Sequence, residues 1–500
     1  MLDSVADYFI LFALFPQICR LIRDPPSLSM RIVQQLLYVL LCSSLLSSGN
    51  SFAAPQHGAD GAPGARWQPG GNGGNGTDIT AIRPTIGAPF SWIAQGFNGG
   101  RGGRGGEGFI WNAKPEDSTS GMPGGNGGRG GHTSAIWTPM VTIGPDGPIY
   151  QRSVYVEARA GNGGAGGAGG NGFQGGRIGN PGIGGDGGSA HAMAYGGFEV
   201  TARAVGGMGG STSGLGGQAG HGGHASSSVV LVNPRHYTAD LPATIWMATV
   251  GGRGGDGLDR ARGGNGGTSL HGGQYNNYRV QGNDNALPVV NLDIVGRGGD
   301  GGNSVGARGG AGGHSIVELN TMLGARRFES YAYVLSPASA SFNLFGGRGG
   351  NSLAHALASG HGGEGGSVNL RRGSESTHPY VQELNISARG GRGGDALGSF
   401  GGYGGRGGAV SLDLILSGGN ININLRGGDG GHSQSENGGS GRTVSFSGLS
   451  YVGESDQSRY NITIQGGDGG NLLGSNTQFQ GTTRRAGHGG SAIMTSSGNL

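Results

Sequence analysis

Aspartates and histidines set among glycines are the residues in this chain with the most capacity for chemistry. Asp256 lies in Gly251-Gly252-Arg253-Gly254-Gly255-Asp256-Gly257-Leu258, and Asp395 in Gly390-Gly391-Arg392-Gly393-Gly394-Asp395-Ala396-Leu397. Both follow a Gly-Gly-x-Gly-x-Asp-x-Leu pattern, which offers one carboxylate per turn to a calcium ion. Calcium takes about six to eight oxygens, so such a site needs stacked tandem copies. The two copies here are single and far apart, and the residues after each break the pattern. Asp256 and Asp395 are the candidate calcium ligands.

His132, His224, His314 and His432 each follow a Gly-Gly pair. They make a metal ladder if successive units stack in register, and solvent-facing turn residues otherwise. Arg-Gly-Gly segments at Arg101, Arg104, Arg253, Arg297, Arg348, Arg389 and Arg392 have the composition of RNA-binding tracts. The interspersed Asp argues against nucleic acid as a partner and for arginines on an outer surface. Enzyme signatures are missing. The Gly-x-Gly-x-x-Gly strings follow from composition and lack a strand–turn–helix setting, and the sole lysine, Lys114, lies in no P-loop. The expectation is a protein without catalytic residues or a required cofactor.

These residues hang on glycine arms. Gly390-Gly391-Arg392-Gly393-Gly394-Asp395 follows the alternating Leu384-Asn385-Ile386-Ser387, and Gly401 to Gly408 leads into Val410-Ser411-Leu412-Asp413-Leu414. This strand–arm–loop–arm–strand plan recurs, with arms near Gly163, Gly206, Gly251, Gly298, Gly346, Gly390, Gly427 and Gly466, spaced 37 to 48 residues apart. Such periods belong to solenoids and arrays. Isolated Gly-Gly argues for a flexible tether. A triplet period held over several turns argues instead for a left-handed, three-residue-per-turn helix, whose bare glycine edges let backbones approach closely. The alternating segments, such as Ile421-Asn422-Ile423-Asn424-Leu425 and Ile462-Thr463-Ile464, read as half-buried strands. One face makes a thin apolar core; the other, rich in Asn, Ser, Asp and Thr, meets water. The predicted fold is mainly β with polyglycine-II helices in an elongated layered repeat. Helix signals are confined to Ser352–Ala358 once residue 53 is passed.

Of 500 residues 120 are Gly, against 13% charged and 34% hydrophobic. Without a strict Gly-X-Y period rich in proline this is not collagen. A net charge of +3 does not make a strong polyanion binder. At the amino end, Met30-Arg31, the apolar run Ile32–Leu46 and Ser51-Phe52-Ala53 have the layout of a secretory signal cut after Ala53, with Met30 as the preferred start and a retained signal anchor as the alternative. Both cysteines, Cys19 and Cys42, precede that cut, so the mature chain is expected to carry no disulfide. No apolar run past the leader is long enough for a spanning helix. Three parts are expected: a leader over 1–53, a Pro/Gly-rich linker or cap over 54–90, and a repeat domain of about nine irregular units over 91–500.

The arms resemble the Gly-Gly-X repeats of polyglycine-II proteins. Gly163-Gly164-Ala165-Gly166-Gly167-Ala168-Gly169-Gly170-Asn171-Gly172 is most similar to the glycine-rich module of mycobacterial PE-PGRS surface proteins. Snow-flea antifreeze proteins and some phage tail adhesins also use glycine-rich polyglycine-II bundles. The likeness covers most of residues 99–490 and lies in composition. It implies exposure at a cell surface and a structural or interaction role. The expected function is therefore a secreted or cell-surface adhesive scaffold that binds surface or extracellular matrix components, or itself, through a repetitive polar face. The alternatives are a calcium-binding, β-roll-like secreted protein and an ice-binding protein.

Overall fold

The structure, a computed structural model, describes residues 56–495 apart from 86–89, 109–118, 140–141, 145–146, 150–152, 175, 197–198, 233–242, 272–277, 282–288, 320–335, 354–359, 373–382, 399–401, 417–418, 450–458 and 474–484. The proposed leader, 1–53, lies outside the described residues.

Alternation becomes strands where apolar residues, from alanine to tryptophan, recur at about every second position. Nine such segments pair in parallel, in chain order: Phe90–Gln95, Ser153–Arg159, Glu199–Val205, Ala243–Val250, Val289–Arg297, Ser336–Phe345, Glu383–Arg389, Asn420–Arg426 and Arg459–Gln465. Each runs directly into a glycine arm, and together they form the lead-in sheet. A second parallel sheet of eleven strands, the lead-out sheet, starts at Ile79–Thr85 and Thr133–Pro139 and ends at Val444–Leu449 and Ala492–Thr495. Its strands begin where the returning arms end, except Tyr278–Gln281, which pairs beside Ala225–Val232. One coil is thus a lead-in strand, an arm, a tip, a second arm and a lead-out strand. At the tips, Thr212–Ser213, Gly257–Leu258, Ser304–Val305 and Ser352–Leu353 make a small parallel sheet, extended by bridges through Ala396, Ser433 and Leu472. The architecture is layered, elongated and mainly β, and no helix occurs among the described residues. Ser352–Leu353, read from sequence as the start of a helix, is a strand; 354–359 lie outside the described residues.

The two large sheets face each other across one apolar core. Ile245, Met247, Leu292, Ile294, Phe342, Leu344, Ile421, Ile423 and Leu425 come from the lead-in side; Trp137, Val317, Leu370, Leu412 and Phe446 come from the lead-out side. In-register pairing stacks like on like, as in Ile386–Ile423–Ile462. At coil four the core turns polar. His271 is 0% exposed; its Nδ1 meets Ser227 Oγ at 3.1 Å, and its Nε2 meets Thr249 Oγ1 at 2.7 Å and the Val295 carbonyl at 3.1 Å. Burial lowers the His271 pKa to about 4, so the ring is neutral.

The arms supply their own hydrogen-bond accounting. In Gly390-Gly391-Arg392-Gly393-Gly394-Asp395, the first glycine of each pair donates forward, Gly390 to the Arg426 carbonyl at 3.0 Å and Gly393 to that of Asp429 at 2.8 Å. The second donates back to the opposite arm, Gly391 to Gly366 and Gly394 to Gly363, both at 2.8 Å. Where X is Asn, Asp or His, its side chain takes up the third donor, the N–H of the X residue one coil on. One file runs without a break. Asn303 donates to Asp256 Oδ1, Asn351 to Asn303 Oδ1, Asp395 to Asn351 Oδ1, His432 to Asp395 Oδ1 and Asn471 to His432 Nδ1, at 2.7 to 2.9 Å. All three backbone donors of a triplet are then satisfied, as a packed backbone requires. Residues 54–90, expected as a linker or cap, contain arms already bonded into this array, Gly58 to Asn98 and Gly70 to Pro123, and the first lead-out strand.

Candidate binding face

Asp256 and Asp395, the calcium candidates, stand in the same ladder file with Asn303 and Asn351 between them. That is three coil spacings, about 14 Å at the usual distance between neighbouring strands. Each Oδ1 already accepts two donors: Asp256 takes Asn303 N–H at 2.8 Å and Arg253 at 2.6 Å, and Asp395 takes His432 N–H and Arg392, both at 2.7 Å. No group of three or more His, Cys, Asp or Glu suited to a metal occurs among the described residues.

The histidines are placed by the same rule. His132, His224 and His314 share one file at the base of the returning arms, but Ser189 and Thr268 separate them. The rings therefore recur at about 9–10 Å, too far to share one ion bound at about 2 Å. Their Nδ1 atoms accept the N–H of Ser189, Thr268 and Ser367 at 2.8 to 3.0 Å. His432 belongs to the outgoing arm. Burial and the Arg129 charge lower the His132 pKa, opposed by Asp78. The arginines are partly spent as well: Arg253 pairs with Asp256, Arg297 with Asp300, Arg392 with Asp395, and Arg389 with Asp429.

The outward side of the lead-in sheet is different, because no other described strand packs on its side chains. Strand pairing fixes one file across eight strands: Tyr155, Thr201, Trp246, Asp293, Ser341, Asn385, Asn422 and Asn461. Beside it run Asn343, Ser387, Asn424 and Thr463. Asn422 Nδ2 donates to Asn385 Oδ1 at 3.1 Å, and Asn385 Nδ2 to Glu383 Oε1 at 3.0 Å. The final four coils of this face enclose a shallow groove of about 280 Å³, lined by Asn343, Asn385, Ser387, Asn422, Asn424, Asn461 and Thr463 together with Ile386 and Ile423. Its edge carries Arg389 and Arg426, both bonded to Asp429, with Arg426 also on Asp468. Burial works against the Asp429 charge, but the Asp468 N–H and these arginines hold its carboxyl below the usual range.

Two carboxylates lie further along the face. Glu157 is 1% exposed and receives Tyr155 Oη at 2.8 Å, Arg159 Nε at 2.8 Å and Arg203 Nη1 at 2.8 Å. Burial opposes its charge, yet these donors keep its pKa lowered. Burial pushes the Asp293 carboxyl up, against hydrogen bonds from Ser341 and Trp246. Glu157 and Asp293 belong to strands three spacings apart, about 14 Å, beyond the roughly 5–9.5 Å of a glycosidase carboxylate pair. The geometry suits reversible contact by many weak hydrogen bonds.

Sequence reading identified a polar strand face but not its members. Trp246 and Tyr155 were missed, and the alignment of Asn385, Asn422 and Asn461 was not seen. The signal was present in the repeated Asn between aliphatics at Leu384-Asn385-Ile386 and Ile421-Asn422-Ile423.

No family model matches this chain, and no curated protein matches it. Among solved structures, the nine polyproline type II helical bundle springtail antifreeze protein from Granisotoma rainieri is similar at 15% identity, over 58% of this chain and 86% of that one. The TM-score is 0.10, and the likeness carries no argument.

Proposed function

We propose that this protein is an exported structural and adhesive scaffold, held at a cell surface or in the extracellular matrix, with no catalytic role. Its glycine arms are polyglycine-II helices: the three-residue alternation of forward, backward and X-capped donors supports that conformation. The arm bundle serves as a stiff spine, and the lead-in sheet presents the contact surface.

The observation that carries this reading is the register of the outward face. Asn385, Asn422 and Asn461 repeat on adjacent strands beside Ser387, Asn424 and Thr463. A surface built by repetition around a shallow groove suits an extended or repetitive partner. Export follows from the signal-like layout of residues 1–53.

Two measurements test the proposal. A reporter fused after Ala53 is expected in the medium or on the cell surface, and retention inside the cell refutes export. Beads carrying the chain are expected to adhere to deposited extracellular matrix. Asn385→Ala with Asn424→Ala should release them while circular dichroism stays unchanged; unaltered adhesion removes this face from the reading.

A further inference from the structure

The face has a definite chemical preference. Each carboxamide on it is both donor and acceptor, and the hydroxyls of Ser387 and Thr463 are likewise both. Counting bonds among the described residues, with Asn422 donating to Asn385 and Asn385 to Glu383, both amides keep at least one N–H and one oxygen lone pair for a ligand. A ligand with the same dual groups at every step is a polyhydroxylated chain.

Charge narrows the class. The guanidinium groups of Arg389 and Arg426 at the edge are matched by the carboxylates of Asp429 and Asp468, so this edge carries two charges of each sign and no ladder of one sign for phosphates or amines. A neutral chain loses least on entering. Spacing narrows it again: coils recur at about 4.8 Å, close to the length of one pyranose unit in an extended polymer. Along the same file stands Trp246, a half-buried indole of the kind against which the apolar face of a sugar ring packs.

From these we infer that the outward face of the lead-in sheet binds an extended neutral polysaccharide. The chain lies across the strands, about one sugar per coil, from the Asn groove toward Trp246. This rests on the adhesive reading above and gives its partner a chemistry. Binding is by summed weak contacts, so affinity depends on ligand length.

The test is calorimetric titration of the whole protein with cello-, xylo- and manno-oligosaccharides of two to ten units, with oligomeric alginate as the anionic comparison. The expected result is binding of at least one neutral series, tightening with length and levelling near about six units, one per coil from Asn461 to Trp246. Asn385→Ala with Asn422→Ala should weaken it about tenfold or more, since two hydrogen bonds are lost. Ser411→Ala with Ser445→Ala, on the lead-out sheet, should leave it unchanged. Preference for alginate, binding independent of length, or equal affinity in both double variants overturns the inference, as does failure of all three neutral series. If none of them binds while Asn385→Ala with Asn424→Ala still abolishes bead adhesion, the ligand class is wrong and the adhesive reading stands. Loss of both results removes both.

Discussion

The Oδ1 of Asn351 accepts the backbone N–H of Asp395 at 2.8 Å, one coil away, while the N–H of Asn351 is itself taken by Asn303. One residue type thereby closes the hydrogen-bond account of two coils. Asn351→Ala leaves the Asp395 N–H without its partner in a partly buried site, at a cost of about 1 kcal/mol. Asn351→Asp keeps the acceptor and should sit close to wild type. Hydrogen exchange at the Asp395 amide is the direct readout: faster in the alanine variant, unchanged in the aspartate variant. Equal exchange in both removes the ladder as a source of protection.

The sequence carried this fold at two levels and concealed it at a third. Triplets at Gly390–Asp395 and alternation at Leu384–Ser387 announced arms and strands because both are local periodicities. The occupants of X were legible as polar, but their role was not. Asp256 looks like a calcium ligand in its own segment, and only coil stacking shows that its Oδ1 serves Asn303. Register was lost for a similar reason. Loops of unequal length separate Asn385, Asn422 and Asn461, so nothing local says that the three align. The buried His271 was equally invisible, since its partners Ser227 and Thr249 come from a neighbouring coil and from the opposite sheet.

His271 sets a pH limit on the stack. Its pKa is about 4 in the fold against about 6.5 for an unperturbed histidine, because burial disfavours the charged ring. The unfolded chain therefore binds this proton first. The stabilisation is intact above about pH 6.5, declines as pH falls toward 4, and levels off below, for a total of about 3 kcal/mol. His132, also lowered chiefly by burial, acts with the same sign. Urea unfolding between pH 7.5 and 5, above most carboxylate titration, should show the decline. His271→Leu should be less stable at pH 7.5 yet flatter across the window; a parallel slope assigns the effect to other groups.

Calcium removal should leave the protein intact. The Oδ1 atoms of Asp256 and Asp395 are each engaged by a backbone N–H and an arginine, an arrangement that needs no cation to relieve charge. Thermal melts in millimolar calcium and in excess chelator should coincide. Asp256→Asn keeps the acceptor for Asn303 and loses only the part-exposed pair with Arg253, worth about 1 kcal/mol or less. A large calcium-dependent rise in Tm, abolished by Asp256→Asn, would return both residues to the role of ligands.

The arms predict opposite fates for one substitution at two glycines. A Cβ on Gly391 would lie 1.8 Å from the Gly347 carbonyl oxygen and 2.9 Å from the Gly366 nitrogen, and backbone on both sides leaves nothing to rotate away. Gly391→Ala must therefore force arms apart and break the donor pairs through Gly366 and Gly408, at a cost at or above the roughly 1–3 kcal/mol of ordinary overpacking. Gly489 is instead the first glycine of its pair in the last described coil, the position that faces the next coil; among the described residues no further arm lies against it, and a Cβ there finds a single atom, the Gly467 oxygen at 3.6 Å. Gly489→Ala should be neutral or slightly stabilising, because alanine loses less backbone entropy on folding. Paired urea melts decide the matter. A marked loss in Gly391→Ala beside no loss in Gly489→Ala locates stability in backbone-to-backbone contact between coils, whereas equal tolerance at both positions means that the arms are not packed against one another in solution.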